Sequence, residues 1–415
     1  MHLFRRSLAT LCLPALTGLA AMPAAAAPSD TVMFIHGFLG WGRDEMLGVK
    51  YWGGIGQDFE TDLRDDGIHA VSVAVGPVSS NWDRAVEAYY QMKGGCVDYG
   101  EAHARRHGHA RFGRCYAALH PAWDEHHKVN IIAHSQGGQT ARLLVQLLKE
   151  GSPEERAASG DDVADLFKGG KDWVRSVTTL STPHNGTTLT KGVYTLTLDM
   201  AEQLVGAIAG AMGSSTHATN LYDFKLDQWG LKRRPDERFR DYFARVRASP
   251  VLQPGFTRDL SSWDLSPEGA RELNAWVHTH PDVYYFSLST ASTMRGPLTG
   301  NEYPIPTSAA ILSPGALWMG SYRNLSPAPG EVRIDHTWLK NDAVVNTVSM
   351  RAPEGAVVVP FDPRNPRRGA WNDLGLWDGW DHMDIVGQTW MFNPLDFRSP
   401  RTFYRQHARF LRDLQ

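Results

Sequence analysis

The sequence predicts an α/β domain built on a mostly parallel sheet. Short β-branched and aromatic runs alternate with helical stretches along the chain, which is the pattern of strands joined by crossover helices. One of these runs, Val129-Asn130-Ile131-Ile132-Ala133-His134, passes into the small-residue turn Ser135-Gln136-Gly137-Gly138 and then into a helical stretch ending at Gly151. No internal repeat or low-complexity tract interrupts the region after the first 27 residues. At 415 residues, with 42% hydrophobic and 21% charged residues, the chain is long enough for one large domain with insertions, and we read 28–415 as one domain.

The N-terminal 27 residues read as a secretory signal. Arg5-Arg6 precedes an apolar run from Leu8 to Met22 and then Pro23-Ala24-Ala25-Ala26-Ala27, the charged, apolar, small-residue order that directs export and cleavage. The run is short for a membrane span, and nothing downstream is longer and apolar enough. The expectation is export to the medium or the periplasm. Of three cysteines, Cys12 leaves with the signal, so Cys96 and Cys115 remain as an even pair in an oxidising compartment. A disulfide between them and two separate buried thiols both stay open. The formal net charge of -3 gives no reason to expect nucleic acid as a partner.

After the signal, Thr31-Val32-Met33-Phe34-Ile35 reads as a buried strand that delivers the glycine-rich loop His36-Gly37-Phe38-Leu39-Gly40. Residues 70–75 form a second strand. Residues 94–116 change texture to glycine, histidine, arginine and tyrosine with no helical period, an inserted subdomain. Residues 154–170 are polar and 176–182 make another strand ended by Pro183. In 196–212 apolar residues recur at Leu196, Met200, Leu204, Ile208 and Met212, one apolar face on a helix. That face suits a core helix or a mobile lid equally. Residues 283–288 are a further strand, residues 342–346 follow a polar turn, 360–379 read as loop-rich, and 403–414 close as a helix.

The serine in the turn points to nucleophilic catalysis. A strand, a sharp turn of small residues and a helix make a nucleophile elbow, in which the serine stands exposed at the tip and the helix N-terminus favours developing negative charge. The usual pattern is G-x-S-x-G; Ala133 stands for the first glycine. A serine hydroxyl needs a histidine to take its proton and a carboxylate to orient that histidine. In the α/β-hydrolase order both lie C-terminal to Ser135. His184, His217, His278, His280, His336, His382 and His407 are available, and His382 lies late, in a loop, where the base belongs. For the acid, Asp342 before an apolar run fits a post-strand loop, with Asp335, Asp373, Asp378 and Asp381 as rivals. An oxyanion hole formed by the loop after the first strand and the residue after the nucleophile falls on the backbone N–H groups of Phe38 and Gln136.

A second constellation is Asp83, His103, His107 and His109. Three imidazoles within seven positions, flanked by glycine, can supply metal ligands, or can simply be surface.

Several long segments together carry a family resemblance: His36-Gly37-Phe38 with Trp41-Gly42-Arg43 and Lys50-Tyr51-Trp52-Gly53-Gly54; Gly76-Pro77 with Ser79-Ser80-Asn81-Trp82-Asp83-Arg84; His107-Gly108-His109-Ala110-Arg111-Phe112-Gly113-Arg114; the elbow through Arg142; Tyr222 to Leu231; and Leu298-Thr299-Gly300-Asn301. The chain resembles the thermoalkalophilic Bacillus-type true lipases, relatives of the staphylococcal lipases, over nearly all of 28–415. The resemblance implies an α/β-hydrolase fold with a zinc-binding insertion at about 83–116 and a helical lid at about 193–213. It implies a triad of Ser135, His382 and Asp342, an oxyanion hole at Phe38 and Gln136, and a structural zinc on Asp83, His103, His109 and Asp227, with His107 a bystander. Triacylglycerols at a lipid–water interface are then the expected substrates. A carboxylesterase or polyesterase with the same triad is the first alternative, and a non-catalytic lipid-binding protein on this fold is another.

One departure bears on calcium. Many members bind it just after the catalytic histidine through a glutamate and an aspartate–proline pair; here the first is the shorter Asp384 and the second region reads Gln388-Thr389-Trp390-Met391-Phe392-Asn393. Asp384 is therefore a doubtful calcium ligand. Cys96 and Cys115 are outside the family pattern and flank the insertion, where a bridge would brace it.

Overall fold

The computed structural model describes residues 31–192, 196–212, 221–253, 255–389 and 398–414. The signal at 1–27, His217, and the ends of the expected lid at 193–195 and 213 lie outside the described residues.

Eleven strands are described: β1 Thr31–Ile35, β2 Ala70–Val73, β3 Gly95–Asp98, β4 Phe112–Tyr116, β5 Val129–His134, β6 Val174–Leu180, β7 Tyr284–Ala291, β8 Thr293–Arg295, β9 Glu302–Pro304, β10 Val358–Pro360 and β11 Trp371–Asp378. Seven of them form one sheet in the order β10-β11-β7-β6-β5-β1-β2. Every pairing in it is parallel. The expectation of a mostly parallel sheet holds throughout, and the strands β1 and β5, buried along their whole length, carry the continuous apolar character of a sheet covered on both faces.

Two apolar clusters fill the layers. One packs Phe34, Trp52, Phe59, Tyr404 and Leu411 on one face of the sheet; the other packs Met33, Ile131, Leu144, Phe167 and Trp371 on the opposite face. Helix α1, Phe59–Asp65, starts at Asp58, whose side chain accepts the Thr61 N–H. Helix α2, Asn81–Lys93, starts at Ser80, which accepts from the Asp83 N–H, and Gly94 ends it with a positive φ of 85°. Helix α3, Glu101–His107, lies between β3 and β4, and the elbow helix α4 is Gln136–Glu150.

Two readings of local structure are corrected here. The 94–116 insertion is not without helix: α3 is only seven residues, two turns, too short to show a period. The loop-rich stretch 360–379 contains β11, an eight-residue strand of the main sheet. Its register shifts between Asp373 and Leu376, and Gly375 at the shift has a φ of 97°, so the bulge and two aspartates mask its alternation.

The insertion is a hairpin with a helix across it. β3 and β4 pair antiparallel with Cys96 opposite Cys115, and the two sulfurs are joined as a disulfide. No helix among the described residues is long and apolar enough to cross a membrane.

Candidate active site and metal centre

Ser135 stands between β5 and α4 with φ 56° and ψ -130°. That conformation is strained for a residue with a Cβ and recurs at functional sites. The neighbours must be small because other backbone lies against the turn. A Cβ on Gly137 would come 2.3 Å from the Ile35 carbonyl oxygen, and one on Gly37 would come 2.6 Å from the Ser135 Cβ. The loop after β1 and the elbow are therefore pressed together by two residues without side chains.

His382 sits in the loop after β11, and its Nδ1 is 2.7 Å from Asp342 Oδ2. The His382 N–H donates to the Asp342 carbonyl at 3.0 Å, so the two residues are joined through backbone and side chain. Asp342 is fully buried. Its Oδ1 accepts the N–H groups of Val344 and Val345 at 3.1 and 2.8 Å, and its Oδ2 also accepts the Thr290 hydroxyl at 2.7 Å. Residues 342–346 form a tight turn closed by an Asn341–Asn346 bridge, and this turn aims the carboxylate.

The rival acids are engaged elsewhere. Asp335 caps its own short helix through Thr337, Asp373 pairs with Arg351 and Asp378 with Lys340, and Asp381 accepts the N–H groups of Ala309 and Met383. Among the other histidines, His280 meets Gln146, His407 meets Thr178 and His184 meets Thr179, all away from Ser135.

Ser135 and His382 line one cavity with Phe38, Tyr51, Leu204 and Met383; its volume is about 70 Å³. Its roof is the helix Leu196–Ala211. Ala201, Val205, Ile208 and Ala209 are buried in the apolar cluster, while Met212 is 41% exposed. Of the expected stripe, Ile208 is buried in that cluster and Leu204 packs against it, while the side chains of Leu196 and Met200 lie outside the described residues. The outer face is tied down by Arg247, which lies 2.8 Å from Asp199 and 3.4 Å from Glu202.

Sequence reasoning passed over two residues that hold the site together. Tyr51 accepts the Gly37 N–H at 3.0 Å and lies 2.6 Å from His134 Nδ1, and His134 Nε2 lies 3.0 Å from the His382 carbonyl oxygen. Burial, followed by the nearby His382, holds the His134 imidazole well below its usual pKa, so it is neutral and carries one proton. A carbonyl only accepts, so that proton is on Nε2. Nδ1 then accepts from the Tyr51 hydroxyl. Arg84 is the other: its guanidinium, fully buried, donates to the His36 and Gly76 carbonyls at 2.5 and 2.8 Å and to the Thr140 hydroxyl at 3.0 Å. The polar positions flanking each motif were the only signal available.

Next to Arg84 on α2, Asp83 faces a second cluster. Asp83, His103, His109 and Asp259 each offer one ligand atom, all within 4.8 Å of one another. His103 Nε2 is 3.3 Å from Asp83 Oδ1 and 3.1 Å from Asp259 Oδ1, and His109 Nε2 is 3.2 Å from Asp259 Oδ2. Zinc with ligands near 2.0–2.1 Å requires tetrahedral edges of about 3.3 Å, which these separations match. His109 Nδ1 is 2.9 Å from the Ala110 carbonyl oxygen, leaving Nε2 as the free lone pair. Two carboxylates and two imidazoles converge with buried atoms that make no hydrogen bond, a set whose chemistry calls for a cation. Burial and the Asp259 charge push the Asp83 carboxyl up, the same demand in electrostatic form.

Residues 28–408 match the family model described as the C-terminal domain of lipase-like proteins. Over 364 residues the chain is 35% identical to Lipase 2 of Staphylococcus aureus, covering 86% of this chain and 50% of that one. The chain belongs to this lipase family. It spans about half the length of the curated staphylococcal lipases it matches. Among solved structures it is similar to EstA from Clostridium botulinum, with a TM-score of 0.85 and 39% identity over 95% of this chain and 90% of that one. Lipase 1 from Pelosinus fermentans gives 0.82 and 43%, over 94% of this chain and all of that one. The α/β-hydrolase class of the fold follows from these lipase neighbours and the parallel sheet.

Within this lipase-family chain one expected metal ligand is replaced. Asp227 is not in the cluster; its carboxylate pairs with the Arg114 guanidinium at 2.5 and 2.8 Å, and Asp259 takes the fourth place. Asp227 opens a short helical turn, where Gln228 instead reaches the site by donating to Asp83 Oδ2 at 2.7 Å. His107 stays outside the set. At the other expected ion site, Asp384 Oδ2 meets the Arg398 guanidinium at 3.3 Å. Residues 390–393 lie outside the described residues.

Proposed function

We propose that this chain is an exported serine lipase that hydrolyses carboxylic esters of lipids, triacylglycerols foremost, through an acyl-enzyme. The observation that carries the reading is the pairing of His382 with the buried, fully hydrogen-bonded Asp342 in the cavity that Ser135 lines. In this reading Ser135 Oγ attacks the ester carbonyl while His382 Nε2 takes its proton. Asp342 keeps the Nδ1–H tautomer and offsets the imidazolium charge. The N–H groups of Phe38 and Gln136 receive the oxyanion. Gln136 is held for this by its side chain, which donates to the Ser79 carbonyl and accepts from Ser261. The alcohol leaves with the proton from His382, and water repeats the sequence to release the acid.

Gln203 and Leu204 of the helix Leu196–Ala211 line the cavity beside Ser135 and His382, so in this reading the helix moves aside when a lipid enters. That supports the lid reading and a substrate presented at an interface. Comparing turnover of soluble and emulsified esters across chain lengths separates a lipase from a carboxylesterase or polyesterase. Ser135→Ala is expected to abolish ester turnover with an unchanged melting temperature; full turnover in that variant would overturn the catalytic reading and favour lipid binding alone.

Zinc is proposed for the second cluster, on Asp83, His103, His109 and Asp259. Four protein ligands close a tetrahedron and leave no position for a substrate water, so its role is structural. The leader-like N-terminus and the Cys96–Cys115 bridge support an exported protein.

A further inference from the structure

Arg398 holds the loop that carries His382 from both sides. Its Nη1 donates to the Gly379 carbonyl at 2.6 Å, its guanidinium lies 4.9 Å over the Trp380 ring, and its Nη2 lies 3.3 Å from Asp384 Oδ2. The same Asp384 oxygen accepts the Asp381 N–H at 2.8 Å. One planar group thus spans from three residues before His382 to two residues after it. The Arg398 carbonyl in turn accepts the Thr389 hydroxyl at 3.1 Å.

The charge arrangement explains why a cation belongs there. Asp342, Asp381 and Asp384 are three buried carboxylates in this part of the site, at 0%, 2% and 2% exposure. Asp342 faces the imidazole, and Asp381 accepts backbone N–H groups on both of its oxygens. Asp384 is the one that Arg398 neutralises. A guanidinium presents donors in a fixed plane, so it can bind a carbonyl and a carboxylate together while its face covers an indole. Calcium needs six to eight oxygen ligands at about 2.3–2.6 Å. A fixed positive charge at 3.3 Å from the nearest carboxylate opposes that.

We propose that Arg398 is a positioning residue, the resident cation of the His382 loop, and that it makes calcium unnecessary for holding the general base in place. The proposal rests on the reading of His382 as that base. Arg398 touches no reacting atom; it sets the loop between Gly379 and Asp384, and the loop sets the imidazole.

The test combines a kinetic and a thermal measurement on the full chain. With a soluble p-nitrophenyl ester, Arg398→Ala is expected to lower kcat about tenfold while KM changes less than about twofold, since displacement of a catalytic group costs turnover more than binding. Arg398→Lys is expected to recover part of the loss, and added guanidinium chloride at low concentration to recover part of it in Arg398→Ala. In the wild type, millimolar calcium chloride is expected to leave both kcat and the melting temperature unchanged after dialysis. A calcium-dependent rise in the wild-type melting temperature, or a kcat for Arg398→Ala within twofold of wild type, would overturn the proposal. The calcium melt needs no turnover, so it judges Arg398 even if His382→Ala shows that the base has been assigned wrongly.

Discussion

The Tyr51 hydroxyl lies 2.6 Å from His134 Nδ1, and this contact joins three parts of the site. Through Gly37 it reaches the loop after β1, and through His134 Nε2 it reaches the His382 carbonyl. Tyr51→Phe keeps the ring among Trp41, Trp52 and His134 but leaves the buried Gly37 N–H and His134 Nδ1 without partners. At about 1–3 kcal/mol for a buried orphan group, kcat is expected to fall roughly 10- to 100-fold with KM nearly unchanged. Steady-state kinetics on a short soluble ester check this, and wild-type turnover in Tyr51→Phe would show that the network does not position the site.

The proposed zinc gives the two aspartates near the insertion different expected outcomes. Asp259→Ala is expected to lose the metal and to melt at a markedly lower temperature, because a buried pair of histidines and the Asp83 carboxylate is left uncompensated. Asp227→Ala is expected to retain the metal, since that carboxylate pairs with Arg114. Elemental analysis of the two purified variants distinguishes the outcomes; metal loss from Asp227→Ala alone would reverse the assignment.

Acid sensitivity is expected to begin just below the ordinary histidine range. Burial pushes the His407 imidazole down to about 3, where it sits against the Thr178 hydroxyl and stacks on Phe403. The folded state therefore takes up this proton less readily than the unfolded chain. The stability contributed by the neutral imidazole is complete above pH 6.5 and falls as pH drops toward 3, with a slope of at most about 1.4 kcal/mol per pH unit. Urea denaturation at pH 7 and pH 5 measures it. His407→Leu is expected to show a smaller loss between the two pH values than the wild type, and an equal loss would assign the acid sensitivity to other groups.

Arg247 holds the roof helix through exposed ion pairs, each worth little on its own. Arg247→Ala is expected to raise activity on soluble esters by about two- to fivefold, a shift of up to about 1 kcal/mol toward the open state, and to narrow the difference between soluble and emulsified substrates. Unchanged ratios would mean that the helix is held by its buried face alone.

Much of the sheet was legible because β1, β5, β6 and β7 are short runs rich in β-branched, aliphatic and aromatic residues. β11 was not, since its bulge at Gly375 and its exposed outer half break the alternation that marks a strand. In the site, Ser135 and His382 were readable from local context and chain order, whereas Asp342 needed the resemblance to be preferred over its rivals. Asp259 was hidden because it sits alone in a polar loop far from the histidines, and only the fold brings it to Asp83. Asp227 misled because it is close in space to the insertion but turned toward Arg114. Tyr51, His134 and Arg398 act by hydrogen bonds across long sequence separations, which no spacing rule records.

Asp83 and Arg84 are neighbours on α2, and they serve different centres. The first belongs to the proposed zinc cluster; the second grips the His36 carbonyl at the root of the loop after β1. A helix this short, 13 residues, transmits a shift at one of its turns to the next. If the cluster holds the proposed metal, its loss is expected to reach the proposed ester turnover through α2 before the molecule unfolds, with heat inactivation running ahead of heat denaturation.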